Sequence, residues 1–227
     1  MSLSSLQGKR ILVTHADAFM GPAICQTLRA QGAEVIADTD PLLDIDAPAQ
    51  LIGRVGTPDV LVANLALPAP NTRAPDVDEQ EWQAVFDTMV HPLMRLCKAV
   101  LPRMQSRQAG KILLIGSAAA LRGMKRASSY SAARGAQLAY IQAIGVEMAP
   151  DNIQINAIAQ NFVDNPTYFP PEVQANPRFQ QRLANEVPLG RLVSAEEDAE
   201  FVAYLCSDAA NCFVGQVFPL SGGWATR

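Results

Sequence analysis

Ser117, Tyr130 and Arg134 stand in the spacing Ser-x12-Tyr-x3-Arg, inside the run IGSAAALRGMKRASSYSAARGA. A tyrosine and a cation four residues apart on a helix project from the same face, so the guanidinium can stabilise a tyrosinate. Free tyrosine titrates near pH ~10, and an adjacent cation lowers that by ~1–3 units. Arg134 itself stays protonated and cannot be the base. Ser117 closes a strand-like run, Lys111 to Ser117, from which its hydroxyl can hold a substrate oxygen beside the tyrosine. The constellation is built to move a proton, and nothing in it implies hydride transfer.

Positioning these side chains takes a strand from Lys111 to Ser117 and a long helix from Ser128 to Met148. The rest of the chain alternates in the same way. Strands are expected at Arg10 to Thr14, Glu34 to Ala37, Asp59 to Asn64, Ile153 to Ile158 and Val217 to Leu220. Helical periods fall at Gly21 to Gln31, ended by Gly32, at Glu79 to Gln108, with Pro92 a kink or restart, and at Ala195 to Ser207, started by Ser194. Between Asp38 and Asn64 there is room for at most one short strand (Leu42 to Ile45) and one helix (Pro48 to Val55). Alternation of this kind predicts an α/β fold: a single Rossmann-like domain over residues 1–227, with a doubly wound parallel sheet and helices on both faces. The loosest stretch, Ala159 to Pro171, follows a strand carboxyl end, where open α/β sheets bind ligands.

Composition excludes several partners. A net charge of −4 with scattered basic residues offers no stripe for a phosphate backbone or an anionic membrane. The opening MSLSSLQGKR lacks the apolar core of a signal peptide, and no apolar run reaches the ~20 residues that span a bilayer, so a cytoplasmic protein is expected. Cys25, Cys97, Cys206 and Cys212 contain no CxxC and read as reduced core thiols. With His15 and His91 the only histidines, no metal site is expected. Glu79, Glu81, Glu196, Glu197, Asp198 and Glu200 read as solvated helix starts, and Arg122, Lys125 and Arg126 as loop solvation.

The Ser117/Tyr130 pair and the terminal VGQVFPLSGGW resemble the short-chain dehydrogenase/reductase superfamily over nearly the whole chain. Its first turn reads Thr-Gly-x3-Gly-x-Gly, whereas here Thr14-His15-Ala-Asp-Ala-Phe19-Met-Gly21 lacks two of the glycines and adds the Asp17 charge. The crossover from Asp38 to Asn64 is short, Met89 stands near the superfamily's relay asparagine, and Arg134 replaces its lysine. Asp38 still reads as a vestigial ribose-binding acid. Thr-x4-Phe-x-Gly together with Ser-x12-Tyr-x3-Arg resembles the halohydrin dehalogenases, on Thr14, Phe19, Gly21, Ser117, Tyr130 and Arg134. The short crossover and the runs VHPLMRLCKAVLP and GSAAALRG are most similar to the B-type or D-type branch.

That resemblance implies a cofactor-independent lyase that closes vicinal haloalcohols to epoxides with loss of halide and a proton. It also implies the reverse opening of epoxides by azide, cyanide or nitrite. Tyr130 would be the base, Ser117 the group that orients the substrate oxygen, and Arg134 the partner of Tyr130. The halide would lie against Phe19 and the loop Asn161-Phe162-Val163, with backbone N–H groups and the Asn161 side chain facing it. Leu121, Met124, Phe169 and Trp224 would shape the substrate pocket, although packing alone accounts for them equally well. A homotetramer built on the two long helices, without a long arm beyond Trp224, is implied too. Two other readings stay open: a divergent NAD(P)-dependent reductase, and a silent scaffold protein.

Overall fold

The computed structural model describes residues 5–226; residues 1–4, the start of the segment read above for a leader, and residue 227 lie outside the described residues. Six short, apolar strands run parallel: β1 (Arg10–Val13), β2 (Glu34–Ala37), β3 (Val60–Ala63), β4 (Gly110–Ser117), β5 (Ile153–Gln160) and β6 (Val217–Leu220). Their order across the sheet is β2-β1-β3-β4-β5-β6. Successive side chains alternate between the faces, so each strand feeds two cores. Leu12, Leu61, Ile112 and Leu114 pack under α2 (Ala47–Val55), α3 (Glu79–Arg107) and α5 (Ser128–Met148). Ile11, Val13, Val60, Val62, Leu113 and Ile115 pack under α1 (Gly21–Ala30) and α8 (Ala195–Cys206). The doubly wound parallel sheet with helices on both faces is thus the observed architecture. Among the described residues no helix is long and apolar enough to cross a membrane, and no group of three His, Cys, Asp or Glu side chains could hold a metal ion.

Local chemistry sets the element ends. Gly32 adopts φ +90° after α1, and the N–H groups of Gly32 and Ala33 return to Arg29 and Leu28, closing a Schellman turn. Ser194 and Glu197 form a reciprocal capping box at the start of α8.

Several expectations are corrected. Residues 42–45 form no strand: Leu42 is buried, but Leu43 and Ile45 are exposed, so the segment offers no apolar face to a sheet edge. Pro92 does not restart the helix, because α3 runs as one helix over 29 residues with Pro92 buried inside. Cys25, Cys97 and Cys206 are buried free thiols, but Cys212 is exposed. Asp198 is no solvated helix start; it is fully buried and accepts a 2.6 Å hydrogen bond from Gln160 Nε2. Three short helices were not expected: α4 (Ala119–Arg122), α6 (Pro171–Gln174) and α7 (Pro177–Glu186).

Candidate active site

At the carboxyl ends of β3, β4 and β5 lies a cavity of about 270 Å³. Ser117, Tyr130, Arg134, Phe19, Asn161, Phe162, Val163, Met124 and Phe169, all expected from the sequence, line it together. Leu121 does not: it packs against the core under α5 instead. Trp224 also stays outside the lining and meets the Phe162 ring edge-on at 6.1 Å. Arg122 is exposed, as expected, and its guanidinium also lies 4.7 Å over the Trp224 ring with Nη1 donating to the Trp224 carbonyl at 2.7 Å.

The cluster is assembled by two elements meeting at one edge. Ser117 is the last residue of β4 and pairs in register with Gln160, the last of β5, which brings the serine beside the loop that begins at Asn161. Tyr130 and Arg134 lie one helical turn apart on the buried face of α5, each 4% exposed. The Arg134 guanidinium sits 5.1 Å from the Tyr130 ring centroid, and Nη1 donates to the carbonyls of Leu65 and Ile115, both at 3.1 Å, and to Gln137 Oε1 at 2.9 Å. Gln137 in turn donates to the Met89 carbonyl at 2.8 Å. Nη1 is therefore held by the backbone carbonyls of Leu65, past β3, and Ile115, in β4, and by the Gln137 amide, while among the described residues the buried Nε has no partner.

Burial alone would push the Tyr130 phenol up, but the neighbouring Arg134 charge and the polar groups around it outweigh that and hold the phenol below its ordinary value. Tyr168 shifts the other way, raised first by burial and then by the neighbouring Tyr130. The pair is thereby split into one acidic and one reluctant phenol.

The turn after β1 keeps an unusual backbone. His15 (φ +44°) and Phe19 (φ +52°) both occupy the left-handed region, at the two positions where the superfamily pattern has glycine. Such a conformation costs an L-residue roughly 1–2 kcal/mol. It is imposed by neighbours: Asn64 Nδ2 donates to the carbonyls of His15 and Ala18, both at 3.0 Å, and Asn64 N–H donates to Thr14 Oγ1 at 3.0 Å. Gly21 is obligatory, since a Cβ there would stand 2.5 Å from the His15 oxygen. The Phe19 ring packs 5.7 Å from the Tyr168 ring at the cavity wall. Burial lowers the His15 pKa, partly offset by Asp17, so its imidazole is neutral at pH 7. Asp38 is buried at the end of β2 and paired with Arg54 at 3.2 Å.

In the loop after β5, the N–H of Asn161 donates to the Leu220 carbonyl at 3.1 Å and that of Phe162 to Asn161 Oδ1 at 2.9 Å. These two backbone donors, expected to face an anion, are consumed internally. Among the described residues the N–H of Val163 and the Asn161 amide nitrogen have no partner, and they are what the loop can offer a ligand. Phe162 is 2% exposed and is wall rather than contact surface at its backbone.

Among the lining residues that went unmarked in the sequence, Tyr168 and Arg182 bear most on the site's chemistry. Tyr168 follows a proline-containing turn that carries no periodic signal, and Arg182 lies on the unexpected α7, its guanidinium 5.2 Å over the Phe162 ring. Among the described lining residues the charged groups are Arg134 and Arg182, with no carboxylate.

Residues 45–225 match the family described as enoyl-(acyl carrier protein) reductase. The chain is 32% identical to a 3-oxoacyl-[acyl-carrier-protein] reductase FabG of Pseudomonas aeruginosa, covering 96% of this chain and 98% of that protein. It is 30% identical to a cis-4-hydroxycyclohexanecarboxylate dehydrogenase of Sinomonas cyclohexanicum, covering 88% and 81%. Among solved structures it is similar to one described as a dehalogenation enzyme, with a TM-score of 0.89, 31% identity, and 97% and 99% of the two chains covered. A halohydrin dehalogenase (HheC) bound to ethyl (2S)-oxiran-2-ylacetate matches with a TM-score of 0.88, 27% identity, and 96% and 98% covered. On the family match over most of its length and the parallel six-stranded sheet, the chain belongs to the short-chain dehydrogenase/reductase superfamily.

Proposed function

We propose that this protein is a cofactor-independent halohydrin dehalogenase, converting vicinal haloalcohols to epoxides. Tyr130, acidified by Arg134, takes the hydroxyl proton. Ser117 holds the substrate oxygen so that the developing alkoxide attacks the neighbouring carbon in line with the departing halide, the positioning part of catalysis. One C–O bond forms as one C–halogen bond breaks, and the products are epoxide, halide and a proton on Tyr130. The halide leaves into the cavity beside Phe19, near the free Val163 N–H and the Asn161 amide, where Arg134 is the guanidinium without a carboxylate partner, Arg182 being paired to Glu186 at 3.2 Å.

The observation that carries this reading is the turn after β1. Its residues do not fit a dinucleotide pyrophosphate: the Phe19 ring lines the cavity, Asp17 adds negative charge, and a neutral His15 offsets none of it. The reverse reaction follows from the same parts, with Tyr130 as acid and azide, cyanide or nitrite in place of halide. A cytoplasmic homotetramer is part of the proposal. The test is to incubate the protein with vicinal chloro- and bromoalcohols in the absence of any nicotinamide and measure halide and epoxide together. Equimolar release supports the assignment, and no release with any of them removes it.

A second reading is supported by the reductases among the relatives at about 30% identity and by a buried Asp38 at the end of β2. A divergent NAD(P)-dependent reductase would oxidise NADPH in the presence of ketones, and the dehalogenase would not.

A further inference from the structure

The cavity has a reactive end, made by Ser117, Tyr130 and Arg134, and an aromatic wall. The wall is a run of rings, Phe162 against Phe169 at 6.0 Å and Phe169 against Phe179 at 5.3 Å. One charged side chain interrupts it. Arg182 stands about one helical turn after Phe179 on α7, so both reach the lining from the same side of that helix. Phe179 and Leu183 are the buried residues that seat α7. Arg134 is 4% exposed, whereas the Arg182 side chain is 49% exposed, which puts the first at the base of the cavity and the second at its rim. The Arg182 guanidinium lies 5.2 Å over the Phe162 ring, and its Nε donates to Glu186 Oε1 at 3.2 Å. Among the described residues neither of its Nη groups has a partner, so the donors at the forked end are unspent. The scheme above gives them no task.

We propose that Arg182 is a specificity-determining residue that binds a carboxylate at the far end of the substrate, so that the preferred substrates are haloalcohols and epoxides whose substituent ends in a carboxylate. The reacting carbons and the hydroxyl lie at Ser117 and Tyr130, an apolar spacer runs along the Phe169 and Phe179 rings, and the carboxylate takes the open end of the Arg182 fork. A guanidinium offers a carboxylate two parallel N–H groups, a pairing stronger and more directional than a neutral hydrogen bond. An amide of the same shape accepts through one oxygen and turns its NH2 toward donors, so the site discriminates against it. Glu186 lies outside the lining and bonds only Nε, in an exposed i,i+4 pair of the weak kind. It leaves the forked end open, although its charge still repels an incoming carboxylate.

The identity of the reacting end rests on the dehalogenase reading, but the carboxylate contact does not, and the experiment separates them. Halide release is measured with 4-chloro-3-hydroxybutanoate and 6-chloro-5-hydroxyhexanoate, each against its primary amide. Binding of the halogen-free 3-hydroxybutanoate and 5-hydroxyhexanoate, again against their amides, is followed by NMR titration without turnover. In the wild type the acid should be preferred over its amide by about tenfold at one length or both, in kcat/KM and in Kd. Arg182→Gln should bring the ratio to about one, and Glu186→Gln, which removes the opposing charge, should raise it above the wild-type value. A ratio near one in the wild type at both lengths, or a wild-type ratio in folded Arg182→Gln, overturns the proposal. If Arg182→Gln is unfolded by circular dichroism, Glu186→Gln decides: an unraised ratio overturns it. Preferred binding of the acids with no halide release leaves the role of Arg182 standing and removes the dehalogenase. Halide release with no preference for the acid does the reverse.

Discussion

The turn from His15 to Gly21 and the cluster of Ser117, Tyr130 and Arg134 face one cavity, and they depart from the superfamily pattern in opposite ways. In the turn the backbone path survives while its side chains have changed: His15 and Phe19 hold left-handed conformations that suit glycine. In the cluster the spacing survives while one residue type has changed, and Arg134 Nη1 is held by the carbonyls of Leu65 and Ile115. The difference teaches that the path of the turn is dictated from outside, by the Asn64 side chain and the absence of room at Gly21. Once the path is fixed externally, a side chain can fill the space above it at a modest strain.

Tyr130→Phe should lower halide release by about 10²–10⁴-fold, the usual worth of a positioned acid or base, with the fold intact by circular dichroism. On the other side, Gly21→Ala should lose about 1–3 kcal/mol in urea unfolding, because its Cβ meets backbone at 2.5 Å that cannot turn aside. Gly53→Ala in α2, where a Cβ meets nothing within 4 Å, should instead gain about 0.5–1 kcal/mol. Equal losses at both glycines would mean that the turn is not specially constrained.

A pH effect should appear behind the cavity wall. Asp198, buried against Gln160, has its carboxyl pushed up to about 7 by burial, only partly offset by the Gln160 hydrogen bond. A raised acid contributes stability that is present below its unfolded value near ~4 and lost as pH rises toward 7. Asp198→Asn keeps a bond to Gln160 and should therefore raise Tm at pH 8, with the gain shrinking below pH 5. A gain independent of pH would contradict a buried neutral acid. The smallest effect is expected at His15→Gly, which relieves a φ of +44° and should add less than about 1 kcal/mol. NADPH binding should still be absent there, since Phe19 remains. Gain of NADPH binding only when Phe19→Gly is added would localise the exclusion to that ring.

The strands and the long helices were legible because their periods are long and their ends carry ordinary signals, as at Gly32 and Ser194. The candidate cluster was legible for a related reason: Tyr130 and Arg134 share a helix, where spacing converts directly to geometry. What escaped lies where spacing does not convert. Tyr168 and the α7 residue Arg182 reach the cavity through the turns that follow β5, and no local pattern in NPTYFPP says which ring faces inward. The loop at Asn161 was placed correctly beside the cavity, but its hydrogen bonds depend on the Leu220 carbonyl of β6, some sixty residues away in sequence and close only in the fold. Asp198 looked like one carboxylate among several at a helix start, and only tertiary packing separates it from Glu197, which is exposed and paired to Arg191.

On the proposed function, the cavity beside the first turn takes a small anion and not a dinucleotide. Calorimetric titration of one preparation with bromide and with NADPH tests it most directly. The account predicts saturable bromide binding that is weakened by azide, and no heat from NADPH at concentrations that saturate a reductase. Micromolar NADPH binding, with bromide silent, would contradict it.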